Sequence, residues 1–196
     1  MIRIKYQTEF NFNNKIMAEE KKEPWLNYLA FTTIVFAVCA TLSTFKGGSF
    51  STKSVLSQAL ATDKWSYYQS KSIKMYLNEN QKENFEMQML AVPKNNPELG
   101  LAYQSRIDKY KTKVKKYENE KEVIKKEAIA LELARDEAQV HSKTFGEAVI
   151  FLQIAILLSS IAALVKKKYL WYIATILGII GVILFADGFF LFINVV

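Results

Sequence analysis

The sequence predicts an all-α membrane protein of three transmembrane helices, with a long antiparallel helical hairpin, a coiled coil, inserted between the first and second. Three observations predict it. The uncharged apolar runs Trp25 to Phe45, Ala148 to Val165 and Tyr169 to Ala186 each reach the ~18 to 20 residues that cross a hydrocarbon core. Charge crowds instead into the middle, where Lys46 to Thr144 holds 18 Lys/Arg and 13 Asp/Glu. Within that middle the turn signal Pro93 to Pro97 divides two polar arms of nearly equal length, Ser49 to Val92 and Glu98 to Thr144. At ~1.5 Å rise per residue each arm reaches roughly 65 to 70 Å, so two arms that start and end at one membrane surface match in length.

In chain order, residues 1–24 form a leader without helical or strand periodicity, and Met17 opens a second start-like sequence, Met-Ala-Glu-Glu-Lys-Lys-Glu-Pro. Pro24 suits the first turn of a helix and Trp25 the headgroup layer. The first span, 25–45, carries Thr33, Ala37 and Thr41 at intervals of four, a small-residue stripe that lets another helix approach. The paired glycines Gly47 and Gly48 are expected to break or bend the helix, with Ser49 or Ser51 capping a new one.

The hairpin is expected over 46–144 with its turn near 93–100. In the first arm Val55, Ala59, Ile73, Tyr76, Met87 and Leu90 fall on a heptad track, with Trp65 and Tyr68 on a neighbouring one. In the second arm Tyr103, Tyr110, Tyr117, Ile124, Leu131, Ala138 and Phe145 recur every seven residues, with Ile107, Val114 and Ala128 at the matching second position, which is a coiled-coil seam. Lys121 and Arg135 are polar exceptions in it. Glu118, Glu120, Lys125, Glu127 and Glu132 flank it, and exposed ion pairs there are worth about 0.3 to 0.5 kcal/mol each.

The second span, 145–165, carries the small stripe Ala155, Ser159 and Ala163. Lys166, Lys167 and Lys168 make a basic turn, and the third span, 169–193, opens with Tyr169, Trp171 and Tyr172 at interface depth and offers a thin face at Ala174, Gly178 and Gly181. The positive-inside rule puts the lysine turn in the cytoplasm and the hairpin on the periplasmic or extracytoplasmic side.

The segments Asp63 to Lys74, Tyr110 to Glu127, Phe151 to Ser159 and Lys167 to Tyr172, taken together in order and spacing, resemble the bacterial family catalogued as domain of unknown function 4337, over roughly Glu23 to Phe190. The resemblance implies a bacterial inner-membrane protein and brings no known activity or catalytic residues.

Chemistry-bearing residues are few. Trp65, Tyr67, Tyr68 and Gln69, with Lys71 and Lys74, could form a binding face for lipid phosphates or an acidic partner; the competing reading packs Trp65 and Tyr68 in the seam and leaves Tyr67 and the lysines to solvent or a second subunit. Asp187 lies near the far interface of the third span, where Lys46 or Lys143 could pair with it. Gln153 and Asn27 are expected to hydrogen-bond between helices and Glu147 to sit at headgroup level. Cys39 is the single cysteine, so an intrachain disulfide is excluded, and the lone His141 has no companion for a metal site or a catalytic base. No catalytic, cofactor or metal residues are expected. The expected description is a non-enzymatic oligomeric scaffold or accessory subunit; the alternative is a subunit of a small oligomeric channel or transporter. Membrane lipids, further copies of the chain and another envelope complex are the candidate partners, and nucleic acid is not.

Overall fold

The computed structural model describes residues 24–93 and 96–192. The expectations for the leader and for Met17 lie outside them. Three α-helices follow one another, α1 (Pro24–Leu90), α2 (Pro97–Val165) and α3 (Lys168–Phe190). Each contains a window apolar and long enough to cross a membrane. The chain divides into two units, one of residues 1–47 and 143–196 and one of residues 48–142.

In the first unit large side chains sit on small ones. α1 buries Trp25, Leu29, Phe36, Ala40 and Ser43; α2 buries Phe145, Ala148, Leu152, Ala155, Ser159 and Ala162; α3 buries Ala174, Gly178, Gly181, Asp187 and Gly188. Phe36 lies over Gly178, Leu152 over Gly181 and Phe145 over Gly188. Without a hydrophobic drive between helices in lipid, such close packing is the principal attraction available to them. One end of the unit gathers Trp25, Leu29 and Ala162, flanked by Leu170 and Trp171. There the Trp171 indole N–H donates to the Thr32 hydroxyl at 3.3 Å, and the Trp25 and Trp171 rings lie 6.3 Å apart. The other end gathers the rings of Phe145, Phe185 and Phe189 in edge-on pairs, with Lys46 over the Phe189 ring at 6.0 Å.

Three expectations are corrected here. Gly47 and Gly48 neither end α1 nor start a new helix, so Ser49 and Ser51 cap nothing. A glycine costs about 1 kcal/mol in a helix interior, less than leaving backbone N–H and C=O groups unpaired beside an apolar span. The stripe Thr33, Ala37 and Thr41 is not the packed face: Ala37 and Thr41 are exposed and Thr33 is half-buried. The threonine hydroxyls donate to carbonyls of their own helix, Thr33 to Leu29 at 2.8 Å and Thr41 to Ala37 at 2.9 Å, and need no second helix. The third span stops short of 193, because Leu191 takes a left-handed conformation (φ 49°) and its N–H closes on the Asp187 carbonyl at 2.7 Å. The lysine turn is built the same way: Lys166 is left-handed (φ 53°) and the Lys167 N–H reaches the Ala162 carbonyl at 3.3 Å.

In the second unit the polar parts of α1 and α2 touch along their length, and residue numbers rise on one as they fall on the other. Gln58 meets Arg135, Lys64 meets Glu127, Lys71 meets Glu120 and Phe85 meets Tyr110. Asn96 starts α2, its side-chain oxygen accepting the Leu99 N–H at 3.2 Å ahead of a helix that opens on Pro97. The inward positions of α1 are Phe50, Ser54, Ser57, Ala61, Lys64, Tyr68, Lys71, Met75, Asn78, Lys82 and Phe85, spaced alternately four and three. This overturns the first-arm track read from the sequence. Val55, Ala59, Ile73, Tyr76, Met87 and Leu90 are all exposed. The track has heptad spacing and is the more apolar of the two, but it lies on the outer side of α1.

Candidate functional site: a polar seam between the polar helices

The residues expected as a second-arm seam are the ones α2 turns toward α1. Ile107 and Ile124 are buried, and Tyr103, Tyr110, Val114, Tyr117 and Leu131 are half-buried. What they meet on α1 is largely polar, so the seam is held by charged and aromatic groups in alternation. At its centre the Lys71 ammonium pairs with the Glu120 carboxylate at 2.6 Å and lies over the rings of Tyr67 and Tyr117, 5.0 and 5.5 Å from their centroids. Lys121, a polar exception in the heptads, lies over Tyr68 and Tyr76 at 5.0 and 5.9 Å. Arg135, the other exception, donates to Gln58 at 2.6 Å and forks onto Asp136. Toward the loop, Phe85 stacks on Tyr110 with ring centroids 5.7 Å apart, and the Arg106 guanidinium lies 5.6 Å from its centroid.

The expected binding face Trp65 to Lys74 divides between two sides of α1. Trp65, Tyr68 and Lys71 are half-buried: the Trp65 indole N–H donates to Glu132 at 2.8 Å and its ring meets Tyr68 edge-on. Tyr67, Gln69 and Lys74 are exposed. The division follows from the helix: positions 65, 68 and 71 advance by three and share a face, while 67 and 74 fall on the next one. The six residues therefore do not act as one surface.

Hydrogen bonding from Lys71 holds the Glu120 carboxyl below its ordinary 4.5, and the same bond raises the Lys71 ammonium above its ordinary 10.5. A lowered carboxyl contributes stability that is present above pH 4.5 and lost as pH falls through its folded value. A raised ammonium contributes stability that is present below pH 10.5 and lost as pH rises through its folded value. The pair therefore supports the contact of α1 with α2 across the neutral range. Glu120→Gln is expected to remove the acid limb of this dependence, read as thermal unfolding followed by circular dichroism from pH 3 to 7; an unchanged acid limb would assign it to other carboxylates.

Elsewhere the sequence-predicted residues lie apart. Gln153 and Asn27 are exposed on the first unit, and among the described residues neither bonds to another helix, because both fall off the faces that pack. Asp187 is 2% exposed, Lys143 pairs with Glu147 at 4.0 Å, and His141 stacks on Phe50 with ring centroids 4.4 Å apart. Among the described residues no three His, Cys, Asp or Glu side chains gather as metal ligands would. An open groove of about 530 Å³ near the loop is lined by side chains that include Lys82, Glu86, Gln104, Asp108 and Lys111, of alternating sign and suited to no single charged ligand.

Sequence reasoning missed the inward first-arm residues. The signal was present, since Phe50, Ala61, Tyr68, Met75 and Phe85 obey heptad steps, but Ser54, Ser57, Lys64, Asn78 and Lys82 dilute it. No curated protein and no solved structure matches the chain. One family model, described as a domain of unknown function (DUF4337), matches residues 25–191, taking in all three apolar spans and the polar helices between them, and the chain belongs to that family.

Proposed function

We propose that the chain is a non-enzymatic, oligomeric scaffold or accessory subunit of a bacterial inner membrane, acting through an antiparallel coiled-coil hairpin that residues 46–144 form between the first and second spans. One observation carries this reading: the first arm turns the less apolar of its two heptad faces toward the second arm. Inward, Ser54, Ser57, Lys64, Lys71, Asn78 and Lys82 interrupt Phe50, Ala61, Tyr68, Met75 and Phe85; outward lie Val55, Leu56, Leu60, Ile73, Leu77, Met87 and Leu90. Apolar surface is worth about 25 cal/mol per Å² when removed from water, so covering the outer face is favourable. A helix with two heptad faces is suited to two neighbours, and one chain supplies one of them.

The spans give a second support. Gln153 lies on the exposed surface of an apolar span, where a side-chain amide gains from a partner on another helix. The same residue is what a small channel or transporter subunit would turn toward its axis, and that reading also needs several copies. By the positive-inside rule the lysine turn is cytoplasmic and the hairpin extracytoplasmic. Lipids and further copies are the partners, and another envelope complex is the other candidate.

The test is the mass of the complex released from native membrane in gentle detergent, by native mass spectrometry with co-purifying proteins identified. A homomeric complex is expected. An isolated monomer at micromolar concentration overturns self-association, and a stoichiometric foreign protein makes the chain that protein's accessory subunit.

A further inference from the structure

Both polar helices expose apolar side chains on the sides turned away from the seam. On α1 these are Val55, Leu56 and Leu60 at the start, Ile73 and Leu77 in the middle and Met87 and Leu90 at the end; on α2 they are Leu101 at the start, Val123 in the middle and Ile129, Leu133 and Val140 at the end. They are among the barest large side chains of the unit, with Val55 at 68%, Leu90 at 88% and Leu101 at 72% exposure. On each helix the outer track advances by alternate steps of four and three, from Val55 to Leu90 and from Leu101 to Val140.

Copies that enter one bilayer in one orientation can bring these faces together in two ways. Pairing α1 with a neighbour's α1 is parallel. It sets Glu83 on Glu83 and Glu79 beside Glu79, like charges on matched positions, which is unfavourable. Pairing α1 with a neighbour's α2 is antiparallel. In the register the chain already uses inside itself, Lys64 with Glu127 and Lys71 with Glu120, that second pairing brings Leu90 to Leu101 and Leu60 to Leu133. It also sets residues 79–86, with Glu79, Glu83 and Glu86 against Lys82, opposite residues 105–112, with Arg106, Lys109 and Lys111 against Asp108, so segments of opposite net charge meet even though Glu83 itself falls opposite Asp108. Apolar ends meet in either arrangement, and opposite net charges meet only in this one.

We infer that the outer face of α1 between Val55 and Leu90 docks on the outer face of α2 between Leu101 and Val140 of a second copy, head to tail. The inference rests on the self-associating hairpin proposed above. Because the two surfaces in contact differ, every copy offers one of each, and the contact repeats until a ring closes. The polar seam then fixes register within a chain, and the apolar outer faces hold the chains together.

The experiment uses the full chain in a Cys39→Ser background, expressed as two differently tagged forms, one carrying Leu90→Cys and the other Leu101→Cys. Keeping the two cysteines on separate chains excludes a link within one hairpin. Treatment of co-expressed membranes with a short bismaleimide is expected to convert up to about half of each form, the share that random mixing allows, to a dimer carrying both tags, and neither form alone is expected to cross-link. The pair Leu60→Cys with Leu133→Cys is expected to behave alike. A dimer from the Leu90→Cys form alone overturns the head-to-tail contact in favour of the parallel one. So does an oligomeric native mass without the 90 to 101 link, and both results leave self-association standing. A monomeric native mass overturns self-association itself.

Discussion

Gly181→Ala is expected to destabilise the apolar three-helix unit by roughly 2 to 3 kcal/mol, at the upper end of what overpacking a close-packed site costs. A Cβ at Gly181 would lie 2.7 Å from the Leu152 Cγ and 3.1 Å from the Leu152 backbone nitrogen. A side chain can turn aside, but the nitrogen belongs to α2, so the whole helix has to move. Gly178→Ala makes the shorter contact, to the Phe36 Cζ, yet that atom ends a side chain that can swing. The ring is buried against Ala40, Leu152 and Ala155, so its displacement still has a cost, and Phe36→Leu is expected to recover much of the loss in the Gly178→Ala background. Gly48→Ala meets nothing within 4 Å and serves as the neutral control. Unfolding in detergent mixtures, followed by circular dichroism, reads the order: Gly181→Ala least stable, Gly178→Ala next, Gly48→Ala at or above wild type. A wild-type-like Gly181→Ala would mean that α2 and α3 do not meet as closely as described.

The second large effect is expected at Phe85. Among the inward positions of α1 after Met75 it is the only aromatic, and it is in contact with Tyr103, Tyr110 and Arg106. Aromatic pairs are worth about 0.5 to 1.5 kcal/mol each beyond area, and truncating a packed Phe costs about 3 to 5 kcal/mol at a fully buried site. For a half-buried ring with two aromatic partners, Phe85→Ala is expected to cost about 2 to 3 kcal/mol. The loss is local to the end of the unit next to the loop. Hydrogen–deuterium exchange checks it: amides of residues 80–90 and 97–110 should exchange tenfold or more faster, with those near Lys64 and Glu127 unchanged. Ile73→Ala is the contrast, because the sequence alone would place Ile73 in the seam and the structure leaves it exposed. Its exchange pattern is expected to match wild type in the detergent-separated chain. Acceleration by Ile73→Ala without acceleration by Phe85→Ala would restore the register read from the sequence.

The register error shows where hydrophobic pattern stops being informative. On α2 every seventh residue from Tyr103 to Phe145 is apolar or aromatic, one face dominates, and the side of contact can be read from spacing alone. On α1 two heptad faces compete. Choosing the more apolar one is the correct rule for a helix with a single neighbour in water, and here it selects the wrong side. The site followed the same division. Lys121 and Arg135 were recognisable as polar members of the seam, but Tyr68, Tyr76 and Met75 around Lys121, and Gln58 opposite Arg135, depend on which face of α1 turns inward.

The sequence by itself determined what depends on length and local composition. That comprises three helical stretches apolar and long enough to cross a membrane, the polar helices between them, the helix break before Pro97, the basic turn and the thin face of α3 at Ala174, Gly178 and Gly181. Each follows from rules that act within a few residues: apolar length against bilayer thickness, the missing N–H of proline, the absence of a glycine Cβ. Only the tertiary structure decided that α1 runs unbroken through Gly47 and Gly48, that Thr33, Ala37 and Thr41 turn away from the packed face, and that lysines and serines line the first arm's seam. Those outcomes turn on what lies opposite a residue: a Phe36 ring that needs a glycine beneath it, a Glu120 that needs a lysine, a helix whose own carbonyls already satisfy its threonines.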